Sequence, residues 1–209
     1  MRARIAGLYA ITPDLDDSHE LQRRVRAALR GGARIVQYRN KTASPALRIE
    51  QARMLQSLCA DFGVPLIIND HTGLVAESGA SGLHLGGDDG SLATARAALG
   101  PERLLGGSCY DRLDLAKAAV AAGADHIAFG SFFPSTVKPG AVRPPLDLLT
   151  RAKASFDVPV VAIGGITLDN APALIAAGAD AIAVISAVFS APDIEQAAHA
   201  FQSLFPEQS

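Results

Sequence analysis

The most informative stretch of the sequence is Val36-Gln37-Tyr38-Arg39-Asn40-Lys41, an apolar run that ends in amide and cationic side chains. A similar change, into polar residues or glycine, occurs in Leu66-Ile67-Ile68-Asn69-Asp70, in Leu83-His84-Leu85-Gly86-Gly87-Asp88-Asp89 and in Val160-Val161-Ala162-Ile163-Gly164-Gly165. Strands that are apolar along their length and polar only at their carboxyl ends are typical of a parallel α/β barrel, whose functional groups lie in the loops after the strands. We therefore expect the strand ends to determine the function.

A degenerate repeat accompanies these runs. Gly-Ala followed by a strand-like run occurs at Gly32-Ala33, Gly79-Ala80, Gly123-Ala124 and Gly178-Ala179, in each case after a stretch with helical periodicity. Glycine can adopt the left-handed conformation that ends a helix, and alanine is small enough for a tight turn into a strand. Repeated helix–glycine–strand units imply crossover connections and therefore a parallel sheet.

The sequence predicts eight strands and eight helices. The strands are predicted at 7–11, 35–40, 65–70, 82–86, 104–109, 126–131, 158–163 and 181–186, and the helices near 18–30, 45–61, 72–78, 91–98, 111–122, 145–155, 168–177 and 192–204. This number favours a closed (β/α)8 TIM barrel over an open doubly wound sheet, which typically has five or six strands. We predict one barrel domain over residues 1–209, with its site at the carboxyl ends of the strands.

The composition agrees with a globular enzyme or binding protein. Apolar residues make up 49% of the 209 residues, and the net charge of −2, without a run of Lys or Arg, gives no indication of a nucleic-acid or membrane partner. Cys59 and Cys109 have neither metal-ligand spacing nor a disulfide framework. The apolar run before Thr12-Pro13 is short, so we interpret it as the first strand rather than a signal peptide. We expect a cytoplasmic protein, and nothing in the sequence indicates its oligomeric state.

Gln37, Arg39 and Lys41 alternate with other residues at the end of the second strand. Residues two apart share a face of a strand, and three of them span about 13 Å at about 3.3 Å per residue. One amide and two cations on one face favour an anion-binding site, with structural salt bridges as the alternative.

Carboxylates end the next two strands. Asn69-Asp70 closes the third strand, and Asp88-Asp89 follows the fourth. Neighbouring strands lie about 4.8 Å apart, so two such carboxylates repel unless one holds a proton or a divalent cation lies between them. Magnesium is typically held by one or two carboxylates, waters and substrate phosphates. A magnesium site is favoured over the two alternatives, a general base and helix capping.

The segment Ile163-Gly164-Gly165-Ile166-Thr167, with Ile185-Ser186 after the eighth strand, indicates a phosphate site. Such sites form from the loops after strands seven and eight of a barrel, where glycines let an anion approach the backbone. A simple turn is the alternative.

The long connection after the sixth strand, Phe132 to Pro145, contains four prolines and is interpreted as a mobile flap. Its segment Ser135-Thr136-Val137-Lys138 offers two hydroxyls and an ammonium group. We favour Lys138 as a counter-charge to phosphate over Lys138 as a Schiff-base lysine. Ser108 is a hydrogen-bond donor without a nucleophile motif, whereas His84 and His126 are predicted to be core residues.

Taken together, the motifs resemble the thiamine phosphate synthase family. That family shows Val-Gln-x-Arg-x-Lys, Asn-Asp, His-x-Gly-Gln-x-Asp, Gly-x-Ser, Phe-Pro-Thr-x-Thr-Lys, Gly-Gly-Ile and Val-Ser-Ala in this order. The matching segments of this chain are Val36–Lys41, Asn69-Asp70, His84–Asp89, Gly106–Ser108, Phe133–Lys138, Gly164–Ile166 and Ile185–Ala187. The match extends over nearly the whole chain.

The resemblance implies an enzyme that joins 4-amino-2-methyl-5-hydroxymethylpyrimidine diphosphate to thiazole phosphate with Mg²⁺, releasing diphosphate, and CO₂ if a carboxythiazole is used. It assigns the pyrimidine diphosphate to Gln37, Arg39, Lys41, Asn69, Ser108 and Lys138, and we add the intervening Tyr38 and Asn40. It assigns Mg²⁺ to Asp70 and Asp89, and the thiazole phosphate to Ser135, Thr136, Gly165, Ile185 and Ser186, to which we add Val137. Arg39, Lys41, Ser108 and Lys138 are the predicted catalytic residues.

Four residues, in three segments, depart from the family pattern. Gly87 stands where the family usually has Gln, Val137 replaces the second flap Thr, and Cys109-Tyr110 replaces a small residue and His. The alternative functions are a thiazole phosphate tautomerase, a sugar-phosphate epimerase with Asp70 as base, and a non-catalytic ligand-sensing barrel. The retained cations and carboxylates favour the synthase.

Overall fold

The computed structural model describes residues 5–87, 89–134 and 143–206, and its centre is a closed barrel of parallel strands. The strands are β1 (Gly7–Ile11), β2 (Ile35–Tyr38), β3 (Leu66–Asn69), β4 (Gly82–Leu85), β5 (Leu104–Tyr110), β6 (His126–Phe129), β7 (Val160–Ile163) and β8 (Ala181–Val184). Each strand pairs with its neighbours in sequence, and β1 closes the barrel against β8. The predicted (β/α)8 barrel is confirmed.

The helices form the outer layer. They are α1 (Ser18–Arg30), α2 (Pro45–Asp61), α3 (Thr72–Ser78), α4 (Leu92–Leu99), α5 (Leu113–Ala121), α6 (Asp147–Ser155), α7 (Ala171–Ala176), α8 (Ser186–Phe189) and α9 (Ile194–Gln202). Several helices begin at side chains that accept hydrogen bonds from the first turn, as Asp17 does from the amides of His19 and Glu20. Within the parts of the chain that the structure describes, no helix has the length and apolar character to cross a membrane.

Some predicted boundaries were wrong. Strands β2, β6 and β8 each end two residues earlier than predicted, because the two residues that follow leave the strand ladder and begin the next loop or, after β8, the helix α8. Strand β7 begins at Val160 rather than at residue 158, and Pro159 between them has no amide hydrogen to donate to a ladder. The one-turn helix α8 directly after β8 was not predicted.

Alternate residues of the strands divide the core into two layers. The barrel interior contains Ile35, Ile67, Leu104 and Val161 together with Tyr9. The neighbouring residues along the strands face the helices instead, and Val36, Tyr38 and Ile68 belong to that outer core. Because side chains alternate along a strand, this division also decides which polar residues near the strand ends face the interior.

The Gly-Ala repeat forms the amino-terminal end of the barrel. Its glycines Gly32, Gly79, Gly123 and Gly178 all have positive φ, as expected for residues that end a helix. In two copies an aspartate follows. Asp180 accepts hydrogen bonds from the amide of Val160 (2.8 Å) and from Lys153 of α6 (2.6 Å), and Asp125 accepts from the amide of Leu105 (2.8 Å). Each aspartate therefore ties its strand to the preceding strand at the end opposite the predicted site.

We predict that Asp180→Ala lowers the free energy of unfolding by about 1–3 kcal/mol, because the buried amide of Val160 loses its charged acceptor. The control is Asp157→Ala, which changes an exposed aspartate in the turn before β7. Urea denaturation measures both. An Asp180→Ala protein as stable as the Asp157→Ala protein would contradict the structural role.

Candidate active site

A small cavity opens at the carboxyl ends of β2 and β3. The residues that line it are Tyr38, Asn40, Lys41, Arg48, Asn69, Asp70 and His71. Five of these seven belong to the two motifs that follow the apolar runs of β2 and β3, and Arg48 comes from α2. The cavity therefore lies where the sequence predicts the site.

Asp70 and Asp89 come together at this edge of the barrel. Strand β3 pairs Asn69 with His84 of β4, and the amide of Asp70 donates to the carbonyl oxygen of His84 at 2.9 Å. Burial raises the pKa of the Asp70 carboxyl, a hydrogen bond and the charge of Asp89 raise it further, and the result is about 6 despite the opposing charge of Lys41. The two carboxylates that the sequence places at neighbouring strand ends are thus close enough to repel. Asp88 lies outside the described residues.

Asp70 has an unusual backbone conformation, and the Asp89 carboxylate is held by a hydrogen bond. Asp70 has φ 64°, a left-handed conformation that aspartate tolerates better than most residues. The Asp89 carboxylate accepts a hydrogen bond from the amide of Gly86 at 3.0 Å. Each carboxylate is therefore presented by a short, specifically folded segment directly after its strand.

The two cations of the β2 motif have different surroundings. The Lys41 ammonium lies 3.9 Å from the Asp70 carboxylate and is about half exposed. The Arg39 guanidinium, mostly buried, donates through Nη1 to both oxygens of Asp14 at 3.0 and 3.1 Å. Asp14 also accepts from the backbone amide of Lys41 at 2.9 Å. Asp14, in the loop after β1, therefore fixes the Arg39 side chain and the backbone of Lys41.

Arg48 in α2 supports the same loop. It donates to the carbonyl oxygens of Asn40 (3.0 Å) and Lys41 (3.2 Å). Its positive charge also lowers the pKa of His71, after the larger effect of burial. The sequence did not single out Asp14 or Arg48, since no local motif indicates which distant loops meet.

The remaining residues of the β2 motif face two directions. Gln37 lies inside the barrel, where its amide donates to the Tyr9 hydroxyl at 2.9 Å. Tyr38 faces the helices and donates to Gln51 of α2 at 2.8 Å. Asn40 donates to the carbonyl oxygen of Leu15 at 2.8 Å. The Tyr38 and Asn40 side chains thus join β2 to α2 and to the loop after β1, and both residues also line the cavity beside Lys41 and Asp70.

Ser108 ends a line of polar groups inside the barrel. Its hydroxyl lies 2.9 Å from Nε2 of His84, and Nδ1 of His84 lies 3.5 Å from Nε2 of His126. A side chain at Gly106 would place its Cβ 2.2 Å from the His126 ring, so glycine is required there. Burial lowers the pKa of His126 to about 3, which keeps this imidazole neutral. The prediction that both histidines are core residues is confirmed, but the sequence did not indicate that His84 holds Ser108.

The predicted phosphate side of the site is described in part. Ser135, Thr136, Val137 and Lys138 lie outside the described residues. Ile185 precedes the first turn of α8, and Ser186 begins it. Gly164 and Gly165 have φ of 102° and 62°, and a Cβ at Gly165 would lie 2.3 Å from the carbonyl oxygen of Pro134. The glycine pair is therefore explained by the close approach of the segment after β6, and its role in phosphate binding stays a prediction.

The chemistry of the acid pair fits a magnesium ion. Over residues 5–87, 89–134 and 143–206, no group of three or more His, Cys, Asp or Glu side chains forms a metal cage. Asp70, whose pKa is raised, and Asp89 instead provide two carboxylates. Mg²⁺ is typically held by one or two carboxylates together with waters and substrate phosphates. Burial raises this pKa most, and a divalent cation between Asp70 and Asp89 would remove the further contribution from Asp89.

Comparison with known proteins gives a consistent result. The model of the thiamine monophosphate synthase family matches residues 8–188. A thiamine-phosphate synthase from Azoarcus sp. (strain BH72) is 57% identical over 205 residues, which are 98% of this chain and 100% of that protein. A thiamine-phosphate synthase from Aromatoleum aromaticum is 52% identical over 202 residues, 97% of each chain.

Solved structures agree with these matches. A thiamine phosphate pyrophosphorylase from Pyrococcus furiosus superposes with a TM-score of 0.84 at 33% identity, covering 95% of each chain. A 3-hexulose-6-phosphate synthase has a TM-score of 0.71 at 17% identity, covering 95% of this chain and 99% of that one. The second similarity indicates the barrel fold alone.

We predict that Asp70→Asn stabilises the metal-free protein at pH 8. The folded-state pKa of about 6 lies above the unfolded value, so the wild-type carboxyl favours folding below about pH 4 and loses that contribution as the pH rises through 6. The Asn variant does not titrate, and its advantage should reach the order of 1 kcal/mol at pH 8 and disappear near pH 4.

Urea denaturation in EDTA at pH 4, 6 and 8 measures this difference. Asp111→Asn, which removes one exposed negative charge after β5, is the control for the change in net charge. An Asp70→Asn variant that is less stable than wild type at pH 8 would contradict the cost that burial and the Asp89 carboxylate impose on the ionised Asp70.

Proposed function

The chain belongs to the thiamine monophosphate synthase family, and we propose the substrates, the metal and the residue roles of the reaction that it catalyses. It is an enzyme, a transferase that acts on small molecules. The proposed substrates are 4-amino-2-methyl-5-hydroxymethylpyrimidine diphosphate and thiazole phosphate, and the products are thiamine phosphate and diphosphate. The proposal depends above all on the meeting of Asp70 and Asp89 beside Lys41.

The diphosphate would bind at the carboxyl ends of β2 and β3. Lys41 lies beside the acid pair and would contact the diphosphate as a half-exposed point charge. Arg39 is held by Asp14 through one nitrogen, and a guanidinium has five N–H donors, so this pairing orients the group without using all of them. Asn69, at the end of β3 and beside Asp70, is the third proposed contact. Lys138 would add a further positive charge from the loop after β6.

Magnesium, held by Asp70, Asp89 and the diphosphate, would neutralise the negative charge that collects on the leaving group. The pyrimidine would lie against Ser108, whose hydroxyl is oriented by His84. His126 is buried and neutral, so it would add no positive charge behind the pyrimidine. Ser108 and the two histidines would act there through directed hydrogen bonds. The thiazole phosphate would be received by Gly165, Ile185 and Ser186, with Ser135 and Thr136.

The reaction needs no nucleophile from the protein. The thiazole nitrogen forms the new bond to the methylene carbon of the pyrimidine, and the C–O bond breaks as its electron pair leaves with the diphosphate. Arg39 and Lys41 would stabilise the leaving group more in the transition state than in the ground state, where its charge is smaller. Alignment of two substrates contributes up to about 7–11 kcal/mol in well-oriented systems.

The acid pair and the diphosphate contacts separate this proposal from its rivals. A thiazole phosphate tautomerase keeps a phosphate site but has no use for two metal-binding carboxylates or for cations on a diphosphate. A ligand-sensing barrel would bind without turnover. We also propose that the reaction takes place in the cytoplasm, because its highly charged substrates do not cross a bilayer unaided.

The direct test combines the purified protein with both proposed substrates, with and without EDTA, and measures thiamine phosphate. We expect product only without the chelator, and recovery when Mg²⁺ is added in excess. Undiminished product formation in EDTA would refute the metal role, and binding of both substrates without product would refute the synthase.

We predict that Arg39→Ala and Asp89→Ala each lower kcat/KM by about a hundredfold or more, because each removes stabilisation of the leaving group. Their thermal midpoints should stay within a few degrees of wild type, as measured by calorimetry. Arg151→Ala, an exposed arginine on α6, is the matched control and should keep full activity. An active Asp89→Ala enzyme that does not need magnesium would contradict the assignment.

A further inference from the structure

Tyr110, the last residue of β5, extends over the loop that follows β4. Its hydroxyl oxygen accepts a hydrogen bond from the backbone amide of Gly87 at 3.1 Å, although the side chain is 39% exposed. The backbone of Tyr110 is left-handed, with φ 54°, and its carbonyl oxygen accepts from the amide of Gly130 at 2.9 Å. A tyrosine adopts this conformation only where its surroundings hold it there.

The Tyr110 ring lies close to the position that a side chain at residue 87 would take. A Cβ at Gly87 would lie 3.1 Å from both Cε2 and the hydroxyl oxygen of Tyr110. Gly87 itself does not have a left-handed φ, so its backbone conformation does not explain the glycine. The phenol ring of Tyr110 explains the glycine, because it fills the volume that a side chain at residue 87 would enter. The two departures at Gly87 and Tyr110 are therefore a single structural change.

The same loop presents the Asp89 carboxylate. The amide of Gly86 donates to Asp89 at 3.0 Å, and the next amide, that of Gly87, donates to Tyr110. A Cβ at Gly86 would lie 2.5 Å from Oδ2 of Asp89 and 3.9 Å from the Tyr110 hydroxyl. The carboxylate and the phenol are thus bound to adjacent amides of one short segment, and a shift of the phenol would move the segment that holds Asp89.

We propose that Tyr110 is a positioning residue, which together with Gly87 fixes the β4 loop so that Asp89 faces Asp70 and the magnesium diphosphate. This inference depends on the proposed function. Tyr110 acts through Asp89, so its loss should weaken the binding of Mg²⁺ with diphosphate and leave the KM for thiazole phosphate nearly unchanged. Groups that orient metal ligands without touching the metal commonly contribute ten- to a hundredfold in affinity.

The test measures Mg²⁺ binding by calorimetry in the presence of inorganic diphosphate, without either organic substrate. We expect the dissociation constant to rise about tenfold in Tyr110→Phe, which removes only the hydroxyl, and by a similar factor in Gly87→Gln, which pushes against the ring. The double variant Gly87→Gln/Tyr110→Ala should bind no more weakly than Tyr110→Ala, because the obstructing ring is gone. Phe62→Ala removes a ring of similar exposure (38%) at the end of α2 and should bind as wild type does.

Each outcome decides the proposal. Wild-type affinity in Tyr110→Phe would overturn the positioning role, and so would additive losses in the double variant. Either result would leave the synthase proposal intact. Failure of the wild-type protein to bind Mg²⁺ with diphosphate would overturn the metal role and this inference with it. The thermal midpoint of each variant in EDTA is measured alongside. If Tyr110→Phe is unstable, Tyr110→Leu takes its place, and wild-type affinity there would equally refute the role of the phenol.

Discussion

The repulsion between Asp70 and Asp89 is the constraint on which the site depends. Burial raises the pKa of Asp70 most, and the neighbouring carboxylate of Asp89 raises it further, so the ionised pair carries a cost in folding free energy. A protein whose stability is a few kcal/mol retains such a pair only where something offsets it. Lys41 offsets it in part, and a magnesium ion carrying a diphosphate would offset it fully. The repulsion in the metal-free protein would in that case favour binding of the proposed magnesium diphosphate.

The register of neighbouring strands brings the two acids together. Strand β3 pairs with β4 so that Asn69 lies opposite His84, and each acid follows its strand within a few residues. Hydrogen bonds then fix the loops from several directions: Asp14 and Arg48 hold the backbone that carries Lys41, and Tyr110 holds the one that leads to Asp89. Aspartates of the Gly-Ala repeat tie strands together at the opposite end. The hydrogen bonds at the amino-terminal end of the barrel stabilise the fold, whereas the strained and charged groups lie at the carboxyl-terminal end.

Much of this could be predicted from the sequence, because it depends on local pattern and on strand order. Apolar runs with polar ends identify the strands, and consecutive strands are neighbours, which brings Asp70 and Asp89 together. Alternation along β2 places Gln37 inside and Tyr38 outside. Tyr38 and Asn40 nevertheless line the cavity at this edge of the barrel, and their contact with substrate stays a prediction. Contacts between distant loops were not predictable. The pairing of Asp14 with Arg39 and of Tyr110 with Gly87 depends on where loops from different strands meet, and neither pair forms a motif in the chain.

The proposed site of the metal diphosphate can be located by diffraction. Crystals grown with Mn²⁺ in place of Mg²⁺ and with inorganic diphosphate would reveal the ion by its anomalous scattering. We expect one strong peak between the carboxylates of Asp70 and Asp89, with the diphosphate on its other side in contact with Arg39 and Lys41. A peak elsewhere, or two acids turned away from an ordered diphosphate, would contradict it.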